Sequence, residues 1–348
     1  MSGYNEADSL QTLITLLEEV EGTKVTLIGD VMLDRYHHGY ANNLNSTAPV
    51  PVVRVINSEE SPGAAAHIAR GLNSLGLTVD FHSSVGDDDE GETIISTLSK
   101  DGIDTTGIKI VDDRKTLTKI RFYGSRENLL DQVQVLLQAD RGPLEDLSSD
   151  VSNSLTDAAM QSLSESQVLV ISDYNKGVIS DEGSELLITS AKTLGIPSIV
   201  DPKLTGLSRS RGADVVIFGK RGLEIQNKRL MTDSLDEAAN QLIETYEWGS
   251  LLVLGGVNGV TLHSSNSSKV FFPCRADAPK QLIGLNDAAA TALAAALGNG
   301  LDVVDAAALS AAACECVLTA KSSQEFVDSS TLQLWLEELS WKLRISDR

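Results

Sequence analysis

The residues best suited to chemistry lie in the stretch Gln281–Gly298, QLIGLNDAAATALAAALG. An apolar pair, Leu282-Ile283, meets a turn, Gly284-Leu285-Asn286-Asp287, and then an alanine-rich run without Gly or Pro as far as Leu297. Alanine is the strongest helix former, so the run predicts a helix. Gly284 lets a ligand approach the backbone closely, and the N–H groups of the first helical turn have no partner within the helix. Together they make an anion site with the carboxylate of Asp287 beside it. A base for a hydroxyl and N–H donors for phosphate charge are what phosphoryl transfer requires. Read in isolation, the plainer account is a buried helix capped by Asn286 or Asp287.

The elements that must position this stretch follow from the rest of the chain. Lys24–Ile28 reads as a buried strand that ends at Gly29-Asp30. Ligands gather at the carboxyl ends of strands in open parallel sheets, which brings Asp30 and Asp34 of GDVMLDRY into play as acceptors for a hydroxyl-rich substrate. Two solvated turn acids is the competing reading at the same spacing. Residues 7–21 place apolar side chains at helical spacing and predict an amphipathic leading helix. Ser61–His67 opens a helix running to about Leu75, and its small residues permit close approach of a ligand. Beyond the serine-rich helical stretch 144–164, strands and helices alternate. Strands are expected at Val168–Ile171, Ser198–Val200, Val215–Phe218 and Leu251–Leu254, with helices at Asp181–Leu194 and Ser234–Tyr246. Continuous apolar strands separated by helices signal a parallel sheet covered on both faces, an α/β doubly wound fold. Two β-rich pieces, about 36–57 and 116–123, project from that sheet; prolines 49 and 51 bar the first from a central strand, and the second could pair with 50–56. A final helix at Thr331–Leu343 carries Trp335 and Trp341, which are expected to pack it onto the body.

Composition narrows the classes. At 348 residues with 42% apolar and 22% charged side chains, the chain can bury a large core. No apolar run reaches membrane-spanning length and the N-terminus lacks a basic region before a hydrophobic one, so no membrane partner is expected and the cytoplasm is the default location. A net charge of −21 argues against nucleic acid as a partner. The odd cysteine count, Cys274, Cys314 and Cys316, shows no metal-ligand spacing and reads as small buried hydrophobes. The acids Asp87-Asp88-Asp89-Glu90 read as a solvated helix start.

The chain resembles the ribokinase-type (PfkB) carbohydrate kinases, and most closely the kinase domain of the heptose-7-phosphate kinase/ADP-heptose synthase proteins. The resembling residues are GDVMLDRYHHG (29–39), APVPVVRV (48–55), SPGAAAHIA (61–69), VGDDDEG (85–91), SDYNKG (172–177), VDPK (200–203) and the turn and helix at 284–297. The resemblance implies a ribokinase-like domain over residues 22–343 behind an N-terminal helix at 1–21, with a small β lid over the sugar site and lid pairing in a homodimer. It implies transfer of the ATP γ-phosphoryl group to a hydroxyl of a sugar or sugar phosphate, with Mg2+. Position by position, Asp30, Asp34, Gly63 and His67 would contact the sugar, and Asp287 would take the hydroxyl proton. Gly284 and the N–H groups after it, with Asn286, would hold the transferring phosphoryl. Gly256 and Gly259 would lie near the nucleotide phosphates, Lys176 and Lys203 would supply positive charge, and Ser310 would lie near the adenine.

The sequence also departs from the resembling pattern. Asn286 replaces the second glycine of Gly-Ala-Gly-Asp, and Gln281 replaces an aspartate six residues before the base. Gly219-Lys220-Arg221-Gly222 stands where Asn-x-x-Glu holds magnesium and phosphates. His67 replaces a sugar-contacting asparagine, Ala64 the second glycine of a pair, Gln132 and Gln134 an arginine and an aspartate, and Ser310 and Cys314 an asparagine and a glycine. Three readings follow: a sugar kinase with altered substrate and metal handling, a non-catalytic relative that binds a sugar, nucleotide or protein, and a dinucleotide-dependent oxidoreductase. The last lacks a Gly-x-Gly-x-x-Gly after strand 25–28.

Overall fold

The computed structural model describes residues 5–125, 134–143, 145–265, 267–276, 279–280, 283–320 and 326–346. Gln132, Gln281 and residues 322–325 therefore lie outside the described residues. In chain order the first half holds α1 (Glu6–Glu19), β1 (Lys24–Gly29), β2 (Val31–Leu44), β3 (Pro51–Ala64), α2 (Ala65–Ser74), β4 (Thr78–Gly86), α3 (Asp89–Lys100), β5 (Ile108–Val111), β6 (Thr118–Ser125) and β7 (Gln134–Arg141). The middle holds α4 (Ser149–Leu163), β8 (Val168–Asp173), α5 (Asp181–Leu194), β9 (Ser198–Pro202), β10 (Val215–Gly219), α6 (Lys220–Leu230), α7 (Leu235–Tyr246) and β11 (Ser250–Leu254). The last part holds β12 (Val260–Ser264), β13 (Ser267–Phe272), α8 (Leu285–Gly298), α9 (Val303–Thr319) and α10 (Ser329–Ser346).

The main sheet runs β13-β12-β11-β10-β9-β8-β1-β4-β5. From β11 to β5 every pairing is parallel; β12 and β13 add an antiparallel hairpin at one edge. Alternate residues of the central strands serve opposite cores. Val25 and Leu27, Val168 and Val170, and Val215 and Ile217 pack beneath α1, α2, α3, α8, α9 and α10. Ile28, Leu169, Ile171, Val216 and Phe218 pack beneath α4, α5, α6 and α7. Both faces of each strand are apolar because both are covered, which is why the sequence reads as continuous rather than alternating hydrophobicity.

Helix α8 lies innermost, against α2, α9 and the strands β8, β9 and β10. Ala288, Ala289, Ala290, Ala292, Ala294, Ala295 and Ala296 are all buried, so no face of the helix's middle turns meets water. Alanine suits the position twice: it favours the helix and lets three neighbours approach its axis. At Gly71 of α2 even a Cβ would press into Thr291 of α8.

The small sheet has the order β3-β2-β6-β7. The expected pairing of residues 116–123 with 50–56 does not occur, because β2 lies between them: antiparallel to β3 and parallel to β6. Aromatic stacking across β2 and β6 accounts for that order. His37 stacks on Phe122 at 4.8 Å and His38 on Tyr123 at 4.9 Å between ring centroids. Ser61–Ala64, expected to open a helix, ends β3, and α2 starts at Ala65. Glu90, expected to be solvated, is buried and bridges Arg141 of β7 at 2.5 Å and Arg35 of β2 at 3.6 Å, tying the small sheet to α3. Trp335 donates from Nε1 to Glu315 at 2.7 Å, whereas Trp341 is 62% exposed and does not pack inward. The three cysteines are free, and burial pushes the Cys316 thiol up to about 12 and Cys314 further still, as befits inert core groups.

Candidate active site

Gly284 is the N-cap of α8, with φ 88° and no side chain to cap the helix. The first bond of the helical ladder is Ala288 N–H to the Gly284 carbonyl at 2.9 Å. The N–H groups of Leu285, Asn286 and Asp287 precede that ladder, so the helix end keeps donors for an acceptor. The capping account of Asn286 and Asp287 does not hold, since neither side chain turns back on the helix start. Asn286 donates from Nδ2 to Asp201 Oδ1 at 2.8 Å, drawing its side chain toward the end of β9. Asp287 carries only 13% side-chain exposure, and its Oδ2 lies 3.2 Å from His67 Nδ1.

Across from α8 stands the small sheet. Asp34 of β2 accepts from Arg121 Nη1 of β6 at 2.7 Å. Burial raises the Asp34 carboxyl, while Arg121 and Lys119 draw it back and Asp287 pushes it up further. Gly63 lies directly beneath, where a Cβ would collide with Asp34 Oδ2. Lys119 faces the same cluster; burial lowers its ammonium and Asp34 opposes that. Tyr174 forms the floor, with Lys203 Nζ 3.8 Å and Lys119 Nζ 6.0 Å from its ring centroid. Burial, with the fields of Asp287, Asp201 and Asp34, pushes the Tyr174 phenol well above its ordinary range.

Asp201 closes the floor at the end of β9. Burial first, then the charge of Asp287, pushes its carboxyl up to about 7, with Asn286 and Lys203 opposing. Asp30, on the far side of the same loop, is pushed up to about 6 by burial and by Asp173. An acid whose pKa is higher folded than unfolded favours the native state below its ordinary range, near 4, and that gain is lost as pH rises through the folded value. Stability should therefore fall between about pH 4 and 7, and Asp201→Asn should flatten the upper part of that fall. With the carboxyl raised from its ordinary 3.8 to about 7, the expected gap in the variant's favour at pH 8 is at most about 4 kcal/mol. Denaturant unfolding from pH 4.5 to 8 checks it, and a gap constant with pH would contradict it.

The sequence expectation of sugar contact from Asp30 meets a different placement. Its Oδ2 accepts from the N–H groups of Tyr174 at 2.9 Å and Lys176 at 3.1 Å, and its Oδ1 from Val178 at 3.2 Å. Asp30 is 2% exposed and acts as the latch of the loop that carries Tyr174. The loop's other anchor is Asp173, which accepts from Arg209 Nε at 2.7 Å. Ser310, expected near the adenine, is fully buried; its hydroxyl donates to Ala306 O of its own helix at 2.8 Å and reaches Ala289 O of α8 at 3.3 Å. Its side chain is a staple between α9 and α8 rather than a group open to a ligand. Gly256 and Gly259 form the β11–β12 turn with φ of 58° and 82°. Gly259 is required there on two counts, its φ and the Phe272 carbonyl that a Cβ would strike. The backbone of Lys176 is held between Asp30 and Arg114, whose Nη2 donates to the Lys176 carbonyl at 2.7 Å. Asp34, Gly63, His67, Gly284, Asn286, Asp287 and Lys203 are the expected residues that converge.

Four converging residues carried no expected role: Arg121, Lys119, Tyr174 and Asp201. Lys119, Arg121 and Tyr123 recur at a spacing of two, the strand signature for one face, and that was the available signal. Ala64 adds a strain, with φ 55° and ψ −129° at the N-cap of α2, a region that suits glycine. Ala64→Gly should stabilise the fold by about 1 kcal/mol, relief of strain exceeding the extra freedom of the unfolded chain. Denaturant unfolding checks it; a loss of stability would contradict it.

The chain belongs to the pfkB family of carbohydrate kinases, whose sequence model matches residues 22–330. It is 34% identical over 288 residues to the bifunctional protein HldE of Halorhodospira halophila, covering 82% of this chain and 58% of that one. It is 33% identical over 298 residues to HldE of Shewanella denitrificans, covering 84% and 59%. The chain thus spans about three fifths of the length of these relatives. Among solved structures, phosphofructokinase-2 from Escherichia coli, in complex with substrates and products, superposes with a TM-score of 0.71 at 17% identity, covering 91% of this chain and 99% of that one. Ribokinase from Arabidopsis thaliana, solved with ribose and ATP, superposes with a TM-score of 0.69 at 16% identity, covering 91% and 99%. These likenesses establish a ribokinase-like α/β fold with a small separate lid sheet.

Proposed function

We propose that this protein transfers the γ-phosphoryl group of ATP to a hydroxyl of a sugar phosphate, of the heptose-7-phosphate type. The observation that carries the reading is the pairing of an uncapped α8 N-terminus with the nearly buried carboxylate of Asp287. The substrate hydroxyl lies between Asp287 and the lid, hydrogen-bonded to Asp34, whose orientation Arg121 fixes. The hydroxyl proton passes to Asp287 as its oxygen attacks the γ-phosphorus, and the bond to the ADP oxygen breaks. The N–H groups at the start of α8 hold the charge on the transferring phosphoryl, and Lys203 adds a cation nearby. Positioning and charge supply most of the rate in such reactions, so the missing second glycine matters only if Asn286 obstructs the donors. Its bond to Asp201 draws the side chain aside instead.

Protein ligands for magnesium do not fit. Gly219 and Gly222 offer no side chain, Lys220 and Arg221 open α6 with positive charge, and among the described residues no three His, Cys, Asp or Glu side chains converge on a cation site. The reading therefore routes no step through a protein-held metal; Mg2+ would arrive on the nucleotide phosphates. That same gap favours the second reading, a relative that binds sugar and nucleotide without turnover. A homodimer through the lid is also proposed. It is supported by apolar side chains left outward on the small sheet, with Val52 45%, Ile56 59% and Leu137 57% exposed. Among the described residues no helix is long and apolar enough to cross a membrane. Location in the cytoplasm and independence of nucleic acid belong to the same proposal.

Calorimetric titration with ATP·Mg, followed by transfer assays on heptose, hexose and pentose phosphates and on the free sugars, tests the function. Transfer to one of these acceptors is the expected result. Nucleotide binding without transfer to any of them would give the second reading preference.

A further inference from the structure

The chemistry above leaves His67 unexplained. Its ring is 7% exposed in the first turn of α2, and neither ring nitrogen has a hydrogen-bond partner among the described residues. A buried polar ring of this kind is unfavourable unless something at the site uses it. Its neighbours fix its position closely. Cε1 packs against Gly284, Phe326 meets the ring edge-on with centroids 6.1 Å apart, and Nδ1 lies 3.2 Å from Asp287 Oδ2. The other carboxylate oxygen, Oδ1, is buried without a partner among the described residues. The two oxygens of Asp287 are therefore unlike: one faces an imidazole nitrogen, and the other is enclosed.

We propose that His67 is a positioning residue for Asp287, its Nδ1–H directed at Oδ2 so that the carboxylate is held in one orientation toward the substrate hydroxyl. This rests on the reading of Asp287 as the base. In the transfer step the hydroxyl proton goes to the Asp287 carboxylate, the substrate oxygen bonds to the γ-phosphorus, and the electron pair of the breaking P–O bond leaves on ADP. His67 neither gains nor loses a proton in that step; its N–H turns onto the line to Oδ2 when substrate closes the site. Where the resembling kinases place an asparagine against the sugar, this chain places a ring that reaches the base instead.

Two measurements test it. In the first, His67→Phe keeps the ring volume against Gly284 and Phe326 but removes the donor. It should lower kcat by about ten- to a hundredfold with the sugar KM changed less than about threefold, since a misplaced base loses rate before binding. His67→Asn, which retains an amide donor, should recover part of that loss. Added to Asp287→Asn, the Phe substitution should cost nothing further, because the group it positions is gone. In the second, nitrogen NMR of histidine-labelled protein should show the His67 Nδ1 resonance shifting when Asp287 becomes Asn. A His67→Phe variant with wild-type kcat, or an Nδ1 resonance indifferent to Asp287, would overturn the positioning role while leaving the kinase reading intact. A wild-type protein without any transfer would overturn the base assignment and this role together, even if the resonance moved.

Discussion

Asp287→Asn should reduce phosphoryl transfer by about 10²–10⁴-fold while leaving ATP and sugar affinity within a few-fold of wild type. The amide is nearly isosteric and can still face His67, so the fold and the α8 donors stay in place. What it lacks is the capacity to take a proton from the attacking hydroxyl. The carboxylate it replaces is nearly buried, 13% exposed, and shares its field with Asp34, Asp201 and Tyr174. Single-turnover transfer together with calorimetric binding separates the two effects. A variant that keeps more than a tenth of the wild-type rate would show that Asp287 is not the proton acceptor.

Asp30→Ala should cost about 3–6 kcal/mol of stability, the other large effect expected in this molecule. Its carboxylate satisfies the N–H groups of Tyr174, Lys176 and Val178. An unpaired buried backbone donor costs roughly 1–3 kcal/mol, and three would be left at once. The raised pKa of Asp30 trims the net loss at neutral pH, because the ionised form already sits uneasily in the core. Denaturant unfolding reads the stability and a sugar titration reads the site. A variant of wild-type stability with weakened sugar binding would mean that Asp30 contacts substrate, as its place at the end of β1 first suggests.

That pair of residues shows where sequence carries the argument and where it stops. The strands β1, β8, β10 and β11 are legible because each is a short apolar run bounded by turn residues, and burial on both faces produces that pattern. Helix α5 is legible to its ends: Ser180 caps it by accepting from the Gly183 N–H, and Gly195 closes it in the left-handed region. The alanine helix announces itself by propensity alone. The β-rich piece expected at about 36–57 covers most of β2 and the start of β3, but the first residues of β2 are not legible because they follow β1 after a single residue, Asp30. Strand β7 stayed hidden too, since Gln134–Arg141 faces solvent on most of its length and carries little hydrophobic pattern. The sequence reading also assigns neither the β12–β13 hairpin nor α6, of which only Leu223 and Gln226 are buried.

The site divides along the same line. Gly284 and Asp287 lie three residues apart at the start of one helix, so the local pattern brings them out together. Arg121, Lys119 and Asp201 come from separate stretches of the chain, and only the fold brings them to Asp34 and Asp287. Asp30 and Ser310 illustrate the opposite case: their chain positions resemble a site, but hydrogen bonds commit one to a loop and the other to a helix pair.

The claim on which the account depends is that the open end of α8 and its neighbouring carboxylate still perform transfer despite the altered glycine turn. Phosphorus NMR of the protein mixed with ATP, Mg2+ and heptose 7-phosphate reads this directly. The account predicts that the ATP γ-resonance declines while a second sugar-phosphate resonance grows in step with ADP. Resonances of ATP and sugar phosphate that stay unchanged over hours, at protein concentrations where both are bound, would contradict it.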